Sequence, residues 1–145
     1  IREKRGLCYT VRSNSDSWAD VGYWSIYAGV ATNKVEEATK AILYELGNAA
    51  GKGVTEEEIV VAKKRIKTIL AFKSEDPEFF PEFSGRQELY GMPILTIEDY
   101  IKRIDNVTKE DIDGLLKKYF LTKTLNMALV ASRANESRLS PLLRI

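Results

Sequence analysis

Polar and apolar positions alternate along the first thirty residues, and a helical period takes over after them. Over residues 7–12, Leu7, Tyr9 and Val11 fall on one face and Cys8, Thr10 and Arg12 on the other. That period of two predicts a strand. Residues 13–20 are polar and read as a long, turn-rich connection. Alternation resumes over residues 21–30, with Trp24, Ile26, Ala28 and Val30 on one face and Tyr23, Ser25, Tyr27 and Gly29 on the other. Two such runs predict an antiparallel hairpin.

Four polar residues each stand three positions before an acid, as a helix N-cap does: Asn33/Glu36, Thr55/Glu58, Thr96/Asp99 and Thr108/Asp111. In this capping box the cap oxygen takes an orphan backbone N–H, and the acid reaches back to the cap's own N–H. Helices are therefore predicted to start near 34, 56, 97 and 109. Val35, Ala38, Ile42 and Leu46 share one face of the first, and Ile59, Ala62, Ile66, Ile69 and Leu70 one face of the second. A further helix is expected within residues 79–90, closed by Gly91 and Pro93, with Phe79, Phe80 and Phe83 packing it. Residues 125–131 form a short apolar run suited to a buried third strand, and residues 133–145 read as a loose tail. Strands and helices are segregated along the chain. The pattern predicts an α+β fold, an antiparallel sheet with helices packed on one face.

Composition narrows the chemistry. The 145 residues suit one domain, and 22 basic against 21 acidic residues leave a net charge of +1. Nucleic acid binding asks for a concentrated basic surface. The tightest basic cluster, Lys63, Lys64, Arg65 and Lys67, instead follows three glutamates on one predicted helix and reads as a solvated face. No apolar run approaches the ~20 residues of a membrane span. A lone cysteine, Cys8, fits a reducing, cytoplasmic setting and reads as a small core residue. The chain begins at Ile1 without Met or a signal peptide and reads as a cut through a longer protein.

The most informative count is histidine, of which there is none. Hydrolytic zinc sites take two or three imidazoles, and serine or cysteine triads need a general base that is usually His. No such mechanism closes within this chain.

The opening reads Arg2-Glu3-Lys4-Arg5-Gly6-Leu7-Cys8-Tyr9. This arrangement, an Arg and a Tyr seven positions apart around Gly-Leu, resembles the C-terminal halves of zinc peptidases of the pitrilysin/processing-peptidase (M16) family. Asp20-x-Gly22 leading into the second strand is similar too. So are Gly53-Val54-Thr55-Glu56-Glu57-Glu58 and Val107-Thr108-Lys109-Glu110-Asp111-Ile112. The resemblance covers residues 1–132, with residues 133–145 as a tail.

The resemblance implies an incomplete half-domain of the LuxS/MPP-like metallohydrolase type. Its partner, the N-terminal domain of the same protein, would hold zinc through His-x-x-Glu-His and a distant Glu. This half would carry no metal and no other cofactor. Arg2 and Tyr9 would reach a peptide bound at that zinc, Tyr9 toward the oxyanion and Arg2 toward substrate carbonyls. Trp18, Tyr23, Trp24 and Tyr27 would line a peptide cavity or serve as core. The alternative is a non-catalytic binding or structural subunit of the same fold. A three-stranded sheet would expose an edge and an apolar face, so self-association into a homo-oligomer is also expected.

Overall fold

The computed structural model describes residues 1–132 and 135–145. In chain order the described elements are β1 (Cys8–Ser17), β2 (Gly22–Val30), α1 (Val35–Lys52), α2 (Glu56–Lys73), α3 (Phe79–Leu89), α4 (Ile97–Asn106), α5 (Lys109–Tyr119) and α6 (Glu136–Leu139). The fold is α+β, with a two-stranded antiparallel sheet. The chain divides into two compact units, Ile1–Gly53 with Gly114–Ile145, and Val54–Asp113.

In the first unit, β1 is longer than its pattern suggests. The expected loop over residues 13–20 is strand as far as Ser17, paired with Gly22. The Trp18 N–H donates to the Val21 carbonyl at 2.7 Å, leaving Ala19 and Asp20 at the tip. Residues 13–17 show no alternation because both of their faces meet solvent. Ladder hydrogen bonds hold them, and these carry no hydropathy signal.

The start of the unit is a capped turn. The Gly6 N–H donates to the Arg2 carbonyl at 2.9 Å and Leu7 N–H to Ile1 at 3.2 Å. Gly6 has φ +59°, the left-handed conformation that closes such a turn and that a Cβ would oppose. The turn drives Leu7 inward, where it is 4% exposed and packs with Ala38 and Ala41 of α1. Ile1 and Val30 border this cluster.

The first predicted cap does not form. A 3-10 turn over Thr32–Lys34 precedes α1, whose N-cap is Lys34 with no side-chain cap bond. Glu36 is drawn elsewhere, accepting from Lys40 at 2.8 Å and pairing with Arg138 at 3.0 Å. The Lys40 hydrogen bond, helped by the Arg138 charge, holds its carboxyl below the usual carboxylate range. The Arg138 contact ties α6 to α1, so the expected loose tail is ordered over residues 135–145. Leu139 is buried, and Thr122 Oγ1 donates to the Ile145 carbonyl at 2.8 Å. Arg133 and Ala134, the start of that expected tail, lie outside the described residues.

The expected third strand is also corrected. No strand pairs with residues 125–131 among the described residues, and Val130 is 102% exposed. An apolar run becomes a strand only where another edge accepts its hydrogen bonds.

In the second unit the remaining caps form. Thr55 and Glu58 make the full reciprocal box at α2. Thr96 Oγ1 accepts from Asp99 N–H at α4 (3.1 Å), and Thr108 and Asp111 exchange bonds at 3.2 and 2.9 Å. Those threonine donors lower both aspartate pKa values. Thr55→Ala is expected to destabilise the chain by about 1 kcal/mol in chemical denaturation, the usual cost of losing an N-cap. Phe79 stacks on Phe83 at 5.2 Å, and Phe83 meets Tyr100 edge-on at 5.9 Å, as helix packing predicts. The basic helical face of α2 is held to α4, with Lys63 and Lys67 reaching the Asp105 carbonyl and carboxylate, each at 2.8 Å. The apolar stripe of α2 is only partly covered. Ile59 and Leu70 are buried, while Ile66, Ile69 and Phe72 are exposed.

Candidate functional site

The pairing of β1 with β2 places the candidate residues. Cys8 opposes Val30 and Thr10 opposes Gly29, so Tyr9 is one extra residue in β1, a β-bulge. A bulge breaks the alternation and re-aims the side chains on either side of it. Cys8 therefore sits on Val30's face and is buried, as expected of a small core residue. Thr10, Arg12, Asn14 and Asp16 share the other face with Gly29, Tyr27, Ser25 and Tyr23.

The alternation assigned Tyr9 to the face of Leu7 and Val11. The bulge overturns that assignment. A Cβ built on Gly29 would lie 2.5 Å from Tyr9 Cε2, 2.9 Å from Cζ and 2.9 Å from Thr10 Cγ2. The Tyr9 ring thus lies over Gly29, on the face of Thr10 and Arg12. Gly29 is buried beneath it, while Tyr9 itself remains 69% exposed.

The two faces of the hairpin differ in chemistry. On one, Trp24 packs against Phe120 with the rings tilted and their centroids 4.8 Å apart, and Ile26 and Ala28 are half-buried. The other is open and mixes phenols with charges. The Arg12 guanidinium lies over the Tyr27 ring at 5.3 Å. Asp16 accepts a hydrogen bond from the Tyr23 hydroxyl, which raises the phenol's pKa. Near the tip, Trp18 packs on Tyr23 at 5.6 Å. All four aromatics of the hairpin proposed as cavity or core, Trp18, Tyr23, Trp24 and Tyr27, are exposed.

Arg2 is exposed in the turn before β1, and Tyr9 follows at the bulge. The capped turn and the buried Leu7 connect them. Neither side chain makes a hydrogen bond or ion pair with another described residue.

One further feature does not include the candidate pair. A shallow depression of about 330 Å³ is lined by Lys40, Leu43, Tyr44, Asn48, Leu142 and Arg144, without Arg2 or Tyr9. Among the described residues no group of three or more His, Cys, Asp or Glu side chains is placed to hold a metal ion. With no histidine in the chain, this donor set does not fit zinc. No helix of the described residues is long and apolar enough to cross a membrane.

The motif spacing named Arg2 and Tyr9 as candidates and did not single out Gly29, over which the Tyr9 ring lies. A glycine inside a strand signals a bulge or a close backbone approach, and Gly29 marks both.

Comparison with known proteins agrees with the opening segment. Residues 1–66 match the family described as Peptidase M16 inactive domain. The chain is similar to an uncharacterized zinc protease of Mycobacterium leprae, 33% identical over 145 residues, covering 100% of this chain and 32% of the relative. One from Streptomyces coelicolor is 32% identical over 117 residues, covering 81% and 26%. The uncharacterized zinc protease YmxG of Bacillus subtilis is 27% identical over 135 residues, covering 93% and 33%. The chain thus spans a third or less of the length of these relatives.

Proposed function

Because the chain belongs to the M16 peptidase family, we propose that it is the C-terminal, substrate-gripping segment of a zinc-dependent endopeptidase. Its partners are a peptide and the N-terminal domain of the same polypeptide, which carries the zinc. The observation that carries the reading is the open hairpin face, on which the Tyr9 side chain is 69% exposed and its hydroxyl bonds to no other described residue. The names of the relatives, zinc proteases, supply the reaction class.

The chemistry follows from the groups. Peptide hydrolysis builds negative charge on the scissile carbonyl oxygen, and a donor already in place stabilises it. The Tyr9 hydroxyl donates to that oxygen. The Arg2 guanidinium, with several N–H groups in a fixed plane, binds neighbouring substrate carbonyls. Held on a separate domain, the pair orients the peptide and closes the site from the side opposite the metal.

The 145-residue chain on its own is expected to show no chelator-sensitive cleavage of an unstructured peptide, because it has no histidine to hold zinc. The full-length polypeptide is expected to show it. A fluorogenic peptide assay on both, with and without a chelator, decides the matter. Chelator-sensitive cleavage by the chain alone, or none by the full-length polypeptide, would overturn the reading.

A further inference from the structure

We propose that Gly29 is a positioning residue that sets the orientation of the Tyr9 phenol; the inference rests on the substrate role just given to Tyr9.

Three observations converge on it. First, the extra residue of β1 is Tyr9 itself, so its side chain is not held by the alternation of the strand. A bulge frees the direction of the side chain, and something else must fix it. Second, the ring occupies the space where a Cβ of residue 29 would stand, 2.5 Å from Cε2 and 2.9 Å from Cζ. Contacts below 3.0 Å are not made by real Cβ atoms, so any side chain at 29 displaces the ring. Third, the ring covers Gly29 while its own surface stays 69% exposed. The phenol is thus supported from one side by backbone and open to solvent on the other.

The alternative explanation for a glycine at this position is backbone conformation. Only Gly6, Gly53 and Gly91 have positive φ among the described residues. Gly29 sits in ordinary extended backbone that alanine also adopts. The requirement at 29 is for the absence of a side chain, and the atoms that impose it belong to Tyr9 and Thr10. Thr10 Cγ2 can turn away by a χ1 rotation. The Tyr9 ring, ending in the reactive hydroxyl, cannot move without carrying that hydroxyl with it.

The test is a cycle of four full-length proteins: wild type, Tyr9→Phe, Gly29→Ala, and both together. Peptide kcat and KM are read separately, with thermal denaturation as a check on folding. A displacement of about 1 Å in a catalytic group costs on the order of 10²-fold in rate. Gly29→Ala is expected to lower kcat by about that factor with KM little changed. The double variant is expected to be no slower than Tyr9→Phe alone, since groups that act as a unit are non-additive. Wild-type kcat in Gly29→Ala, or losses that multiply in the double variant, would overturn the inference while leaving Tyr9's role intact. Wild-type kcat in Tyr9→Phe would overturn the underlying reading and this inference with it.

A second measurement needs no variant at residue 29. In full-length protein labelled at glycine, the Gly29 α-protons are expected to carry a ring-current shift that Tyr9→Leu removes. An unchanged Gly29 signal in Tyr9→Leu would show that the ring does not rest there, and the inference would fail.

Discussion

Tyr9→Phe in the full-length polypeptide lowers kcat for peptide hydrolysis about 10²–10³-fold, the usual cost of removing one oxyanion donor. In free energy this is about 3–4 kcal/mol of transition-state stabilisation. The expectation follows from what the substitution leaves alone. Phe keeps the ring that rests on Gly29 and removes only the hydroxyl, which bonds to no other described residue. Folding is therefore expected to be unchanged in thermal denaturation. KM is also expected to hold, because a donor to charge that develops only in the transition state contributes little to ground-state binding. Arg2→Ala provides the contrast. A guanidinium gripping substrate carbonyls acts on ground state and transition state alike, so that variant is expected to raise KM more than it lowers kcat. Steady-state kinetics on the two variants separates the roles. Equal behaviour of the pair, or an unaltered kcat in Tyr9→Phe, would sink the assignment.

The residues differ in how far the sequence alone could place them. Thr55, Thr96 and Thr108 were legible because a cap is a local event, settled within four residues. Asn33 carried the same signature and failed, because its partner Glu36 found cations on Lys40 and on the distant Arg138. The Lys40 pairing is itself local, four residues on, but no local pattern contains the Arg138 contact. The strand over residues 13–17 was invisible for a related reason. It has no buried face, and hydropathy reports burial rather than hydrogen bonding. Residues 125–131 show the converse, an apolar run without a partner edge among the described residues. At the candidate site, the spacing of Arg2 and Tyr9 was readable, but not the face Tyr9 occupies. A single inserted residue reverses every assignment beyond it, and the bulge at Tyr9 does this between Cys8 and Thr10. The charged and phenolic face is therefore a product of register, which only the pairing with β2 discloses.

Leu7→Ala is expected to be the most destabilising single change near the site, at about 2–5 kcal/mol. Leu7 is the one large side chain in a cluster whose other buried members are Ala38 and Ala41, each 2% exposed. Two alanines on α1 let the opening turn come close to the helix, and Leu7 fills the space between. Truncation leaves a cavity that short alanines cannot close, so the lost transfer energy and the cavity term add. Domains of this size are stable by only about 5–15 kcal/mol, so the change takes a large share of the total. The damage is also directed. Leu7 N–H and Gly6 N–H close the turn that presents Arg2, and the bulge begins one residue beyond Cys8. Loosening Leu7 frees both ends of the Arg2–Tyr9 pair without touching either side chain. Leu7→Met, which keeps the volume, is expected to cost less than about 1.5 kcal/mol. Chemical denaturation of the three proteins, beside their peptide kinetics, checks both halves. If Leu7→Ala unfolds within about 0.5 kcal/mol of wild type, the anchoring of the pair through the Leu7, Ala38 and Ala41 cluster is wrong.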